Sequence, residues 1–222
     1  KVVLTRIGDQ YVSLEDRVRI GREANASLFV SIHADAVSGG GAEVSGATVY
    51  TCSERASDAQ AARIAEHENA ADKAAGADRK PEPADVADIL FDLKRRETRT
   101  YAHMFSRGVV QELEGATRLN RNPERSAGFV VLKAPDFPSV LVELGYLSNP
   151  QDVRSLTSPE WRAKAAAAMA SAISKFFPSA SATGQAATKA DDAVAVTDKP
   201  PAADAGSGKA AAAGPGGDHT AP

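Results

Sequence analysis

The sequence predicts an α/β fold: a central, mostly parallel or mixed twisted sheet flanked by helices, with a helical insertion and a disordered C-terminal tail. Three observations lead there. Short apolar runs rich in β-branched residues, at 28–33, 46–52, 128–133 and 139–144, alternate with longer stretches at helical spacing. Two of these runs end in a side chain suited to chemistry, S-I-H-A-D at 31–35 and V-E-L-G-Y-L-S-N at 142–149. Composition then changes abruptly at Pro178.

Each element has its own signal. Residues 1–5 (K-V-V-L-T) read as a buried strand. Ser13 starts a helix with Asp16 three residues on, and Leu14, Val18 and Gly21 share one face until the chain turns near Asn25. L-F-V-S-I-H (28–33) has the continuous apolar character of a central parallel strand. After glycines 39–41, G-A-T-V-Y-T-C (46–52) forms the next one. An Ala-rich helix covers about 57–72, and the breaker-rich A-G-A-D-R-K-P-E-P follows. A second helix begins near 84 on Val86, Ile89, Leu90 and Leu93, and a third stretch runs through Tyr101, Phe105, Val109 and Leu113. G-F-V-V-L-K (128–133) and S-V-L-V-E-L (139–144) are two more strands. Ser158-Pro159 caps a last helix carrying Trp161, Met169, Ile173, Phe176 and Phe177. Beyond 178 the only aliphatics larger than Ala are Val194 and Val196. Such a segment cannot bury enough apolar area to offset its ordering entropy, so 178–222 is expected to be disordered.

Composition excludes several functions. The 26 basic and 29 acidic residues leave a net charge of −3, which offers no bulk attraction for nucleic acid. A single cysteine, Cys52, rules out an internal disulfide and a Cys-rich zinc site. No run is long enough to span a membrane, so no stable membrane insertion is expected. The chain opens on Lys1 almost directly in a strand, as expected of a fragment whose upstream part, with any signal peptide, is missing.

Ligands of open α/β sheets bind outside the carboxyl ends of strands, so His33 and Glu143 could face one cleft. A histidine at a strand end is more often hydrogen-bonded structure than a ligand. Glu143 directly follows Val140-Leu141-Val142, and a carboxylate there needs a charged partner, a metal or a bound proton. Pairing with an arginine would satisfy it as well.

Between Val2 and Phe177 the chain carries V-L-T-R-x-x-D (3–9), V-S-L-x-x-R (12–17), A-N-A-S-L-F-V-S-I-H-A-D (24–35), G-A-T-V-Y (46–50) and A-G-F-V-V-L-K-A-P-D-F-P-S-V-L-V-E-L-G-Y-L-S-N (127–149). In that order and spacing they resemble the zinc-dependent N-acetylmuramoyl-L-alanine amidases, the amidase type 3 family, in the subgroup that splits septal peptidoglycan in Gram-negative bacteria. The resemblance implies residues 1–177 as the catalytic domain, His33 as a Zn2+ ligand and Glu143 as the catalytic carboxylate. Zinc would acidify a water, and Glu143 would move its proton to the departing amine of L-alanine. The family's two other zinc ligands, a histidine in D-P-G-H-G-G and a later glutamate, lie upstream of Val2 and are not among these 222 residues. The resemblance therefore implies that this fragment alone binds zinc poorly and hydrolyses little.

Residues 53–97 resemble the insertion of a self-inhibited subgroup, through A-S-D-A (56–59), E-N-A-A-D (68–72) and V-A-D-I-L-x-D-L-x-x-R-E-T (86–98). There a helix lies over the cleft until an activator, of the LytM-domain type, draws it away, and its inhibitory zinc-binding glutamate corresponds to Glu68. Periodicity supports this: Ala61, Ile64, Ala65 and Glu68 fall at i, i+3, i+4 and i+7. A solvated Ala-rich helix with Glu68 exposed is the alternative. His67 and His103 read as surface residues, His219 has no context in the tail, and Asp35 could orient the site or simply form a turn. Asn149 starts the turn into the last helices. The resemblance implies peptidoglycan as substrate, a role in cell separation and a periplasmic location. A non-catalytic module binding peptidoglycan or the activator is the competing reading, and a zinc carboxypeptidase lacks a recognisable pocket for a free carboxylate.

Overall fold

A computed structural model describes residues 1–37, 44–76 and 89–177, with only the backbone at 89–92. The elements are α1 (Leu14–Glu23), β1 (Phe29–His33), β2 (Ala47–Cys52), α2 (Ala59–Asn69), α3 (Ala71–Ala74), α4 (Ile89–Glu114), β3 (Leu119–Ala127), β4 (Ser139–Glu143), α5 (Pro150–Thr157) and α6 (Pro159–Phe176), plus a 3-10 turn at Val130–Leu132. The strands form one mixed sheet in the order β1-β4-β2-β3. β1 runs parallel to β4 and β3 parallel to β2, whereas β2 and β4 are antiparallel. The expected disordered tail and the start of the second inserted helix at Val86 lie outside the described residues.

Two hydrophobic cores sit on the two faces of this sheet. On one, α1 and α2 bring Leu14, Val18, Ala61, Ile64 and Ala65 against Tyr50, Phe129, Phe137 and Leu141. On the other, α4 and α6 bring Phe105, Val109, Leu113, Met169 and Ala172 against Val49, Val140 and Val142. Successive strand residues point to opposite faces, so Val49 and Tyr50 serve different cores. Caps fix the helix starts as expected: the Ser13 hydroxyl accepts from the Asp16 amide at 3.1 Å and the Ser158 hydroxyl from the Trp161 amide at 3.2 Å. Asn25 takes the left-handed conformation (φ 49°) just past α1, where asparagine is tolerated better than most residues. Asn149 caps α5 through the amides of Gln151 and Asp152. Gly46 (φ 81°) cannot carry a side chain, since a Cβ would lie 2.6 Å from the Leu119 carbonyl.

Four expectations change. Residues 1–5 form no strand: Val2 is 86% exposed, and Leu4 and Ile7 also face solvent, because no described strand pairs with them. Among the described residues β1 is not central: it pairs only with β4 and leaves Ile32 60% exposed. The second and third helical stretches are one continuous α4. Finally, 128–133 is not a strand. The Asn69 side-chain amide takes its backbone instead, donating to the Gly128 carbonyl at 2.9 Å and accepting from the Val130 amide at 2.8 Å. The strand is 119–127, and β3 was missed because L-N-R-N-P-E-R-S-A is polar and holds a proline, which a sheet edge accommodates.

Asp58 joins α2 to this framework. Its carboxylate accepts the amides of Gln60 and Ala61, each at 2.9 Å, and pairs with the buried Arg125 of β3. Burial works against the ionised form, but the Ala61 amide, the Ser57 hydroxyl and Arg125 outweigh it and hold the carboxyl below the usual aspartate value. This stabilisation is therefore complete above the unfolded-state value and disappears as pH falls through the lower folded one. Replacing Asp58 with Ala should cost about 1–2 kcal/mol at neutral pH, and the difference should vanish in strong acid; urea unfolding at the two pH values measures it.

Candidate metal centre and active site

The sheet brings two of the expected residues together. His33 and Glu143 are the last residues of adjacent parallel strands and are register partners. Glu143 is completely buried. The Asp35 backbone amide donates to its Oε2 at 3.1 Å, and its Oε1 has no hydrogen-bond partner. Burial, reinforced by the nearby Asp35 carboxylate, raises the Glu143 carboxyl to about 8.

The third residue arrives from α2. Ala61, Ile64 and Ala65 pack into the core, and one turn on Glu68 follows them inward and is itself buried. Its Oε2 lies 3.1 Å from His33 Nδ1, and Asp35 Oδ1 lies 3.7 Å from the same nitrogen. Burial alone would favour a neutral imidazole; the carboxylates of Asp35 and Glu68 reverse this and raise His33 to about 10. Asp35 moves the other way, held below its usual value by His33 despite its own burial.

His33, Asp35 and Glu68 each offer one ligand atom within 4.8 Å of the others. Their chemistry fits a divalent cation. One imidazole nitrogen and two carboxylates suit a borderline metal. Asp35 Oδ2 is buried without a partner, as an oxygen awaiting a cation would be. The other ring nitrogen, Nε2, is 2.8 Å from the Ser31 hydroxyl, which fixes the ring as outer partners of metal-bound histidines do. A proton on His33 supplies the balancing positive charge in this arrangement.

Residues 1–175 match the amidase_3 family, described as N-acetylmuramoyl-L-alanine amidase. This chain belongs to that family. It is 37% identical over 175 residues to the amidase AmiA of Salmonella typhimurium, covering 78% of this chain and 60% of that protein. It is 33% identical over 178 residues to AmiC of Escherichia coli, covering 80% and 42%. Among solved structures, AmiC2 of Nostoc punctiforme aligns at 25% identity with a TM-score of 0.48, over 78% of this chain and 71% of that one. The chain thus spans about 60% of the length of AmiA.

For this member of the amidase family, the three expected site residues meet at one end of the sheet. His67 and His103 are exposed and are not in the cluster, and His219 lies outside the described residues. Asp35 was legible only as a possible orienting group, yet its carboxylate completes the cluster and its amide holds Glu143. Sequence reading also missed how α2 is fastened. Asn69 grips the 128–130 backbone, and Asp72 accepts from the Leu14 amide at 2.9 Å and from the Tyr11 hydroxyl. Asp72 belongs to α3, which follows α2 after Ala70, so it anchors the far end of α2 from just beyond it. Among the described residues, no helix is long and apolar enough to cross a membrane.

Proposed function

We propose that this chain carries the catalytic domain of a peptidoglycan hydrolase that cuts the amide between N-acetylmuramic acid and the L-alanine of the stem peptide. In this reading the domain is held inactive by α2. The observation that carries it is the Glu68 carboxylate seated 3.1 Å from His33 Nδ1, beside the buried Glu143. His33 would hold the metal, with Asp35 within reach of the same position and Glu68 as the inhibitory ligand. Zinc suits this donor set and, when bound, supplies Lewis acidity that polarises a carbonyl and acidifies water.

The chain's own groups do the rest. Glu143 accepts a proton at Oε1 and later returns it to the leaving amine, while the Asp35 amide keeps Oε2 in place. Low solvent access strengthens both contacts. Ser31 holds the His33 ring at Nε2. Glu68 excludes substrate from the same position until α2 is displaced, which is the work of an activator of the LytM-domain type. The periplasm is the compartment that fits this reading, because peptidoglycan lies outside the cytoplasm.

The test measures zinc content and muropeptide release for the whole gene product. Zinc and release together support a metal hydrolase. A full-length product that binds peptidoglycan with neither zinc nor release would make the fold a binding module.

A further inference from the structure

The opposite end of the sheet holds a second concavity, where β2 ends and β4 begins. It measures about 30 Å³, room for two waters or one small oxyanion. Arg95, Thr98, Arg99 and Ala102 lie at i, i+3, i+4 and i+7 on α4 and form one wall; the small Ala102 leaves the space open. Lys133 stands on the opposite rim, and Thr51 and Cys52 close the sheet side.

Most polar groups of the wall are already engaged. Thr98 donates to the Pro135 carbonyl at 3.0 Å and Ser139 to the Phe137 carbonyl at 3.1 Å. Thr51 differs: only 2% exposed, it has a buried hydroxyl with no hydrogen-bond partner. An orphaned donor of this kind is costly unless something accepts from it. Strand alternation puts it on the face of Ala47 and Val49, the face that α4 covers. Arg99 has a contact at 3.6 Å to Glu54, which is 83% exposed, so an incoming anion meets little competition. Cys52 points to the other face of the sheet, where its thiol donates to the Phe129 carbonyl at 3.9 Å; burial pushes its pKa up, and the positive charges of Arg99, Lys133 and Arg95 act against that through space.

We propose that this cleft binds a small oxyanion, with Thr51 donating its hydroxyl and Arg95, Arg99 and Lys133 supplying the charge. Carboxylate and phosphate share that chemistry. The site lies at the other end of the sheet from His33 and Glu143, so it stands or falls independently of the proposed hydrolysis.

Cys52, the chain's one cysteine, reports on the charge of the site through space. Its alkylation by neutral iodoacetamide is followed while inorganic phosphate or acetate replaces chloride at constant ionic strength. An anion bound among Arg95, Arg99 and Lys133 cancels the positive charge that favours the thiolate, so the rate should fall saturably by roughly threefold. Protection by phosphate alone identifies a tetrahedral ligand, and protection by acetate alone a carboxylate. Thr51→Val should abolish the saturation and Thr51→Ser should keep it; the exposed-rim variant Arg99→Gln should weaken it without disturbing the core. Rates indifferent to both anions, or equal protection in Thr51→Val, would overturn the site. The same titration read as a rise in Tm gives a second measure that does not depend on the thiol.

Discussion

Glu143→Gln should remove muropeptide release by about 10²–10⁴-fold in the full-length gene product while leaving its zinc content unchanged. The amide keeps the shape of the carboxylate and can still accept the Asp35 amide hydrogen bond, but it cannot take up a proton. The same substitution should stabilise the metal-free protein. In the fold the carboxyl is raised to about 8 from its ordinary 4.5, by burial first and then by Asp35. Between those values the unfolded chain ionises while the folded one must keep its proton, so stability falls as pH rises through that window. Glutamine has no such penalty. The gain in Tm should therefore be larger at pH 8 than at pH 5. Retained release would remove Glu143 from the mechanism; a Tm gain that does not grow with pH would show that the carboxylate is satisfied.

The second large effect concerns Glu68. Glu68→Ala should raise muropeptide release without activator by about tenfold or more, because a plug that leaves only a few per cent of molecules open leaves that much to regain. Glu68→Gln should act in the same direction, since it keeps the volume but loses the charge facing His33 Nδ1. His33 should titrate at lower pH in both variants, having lost one of the two carboxylates that raise it; NMR of the ring protons measures this. Unchanged basal release in both would leave Glu68 a structural partner of His33 and nothing more.

Why these residues were legible, and others were not, follows from how each is positioned. His33 and Glu143 end apolar runs, and strand ends of an α/β sheet point to one place, so local pattern carried the juxtaposition. Glu68 continued an apolar stripe, and the helix turned it inward with Ala61, Ile64 and Ala65. β3 was hidden because an edge strand buries little and carries polar residues. The 128–133 run misled for the opposite reason: it is apolar because α1 and α2 cover it, while its backbone partner is the side chain of Asn69. The cleft around Thr51 was beyond reach, being assembled from a strand end, a helix face and the segment at 133–135 that no local spacing connects.

Under the proposed inhibition by α2, the way this helix is fastened has a consequence for how cleanly activity can be turned on. Asp58 ties one end to β3; at the other, Asn69 ties it to the 128–130 backbone, and Asp72 of the adjoining α3 ties that end to the start of α1. Glu68 lies between them, so fraying of either end by thermal motion does not expose His33. Leakage then requires the whole segment to detach, an event whose rarity grows with every additional tie. An effector able to loosen only one tie changes almost nothing, whereas one that grips the detached segment about 10⁴-fold more tightly than the docked one would carry the population from nearly all closed to nearly all open. For a domain proposed to cut its own cell's wall, such a threshold would give silence between commands rather than a graded response to chance encounters.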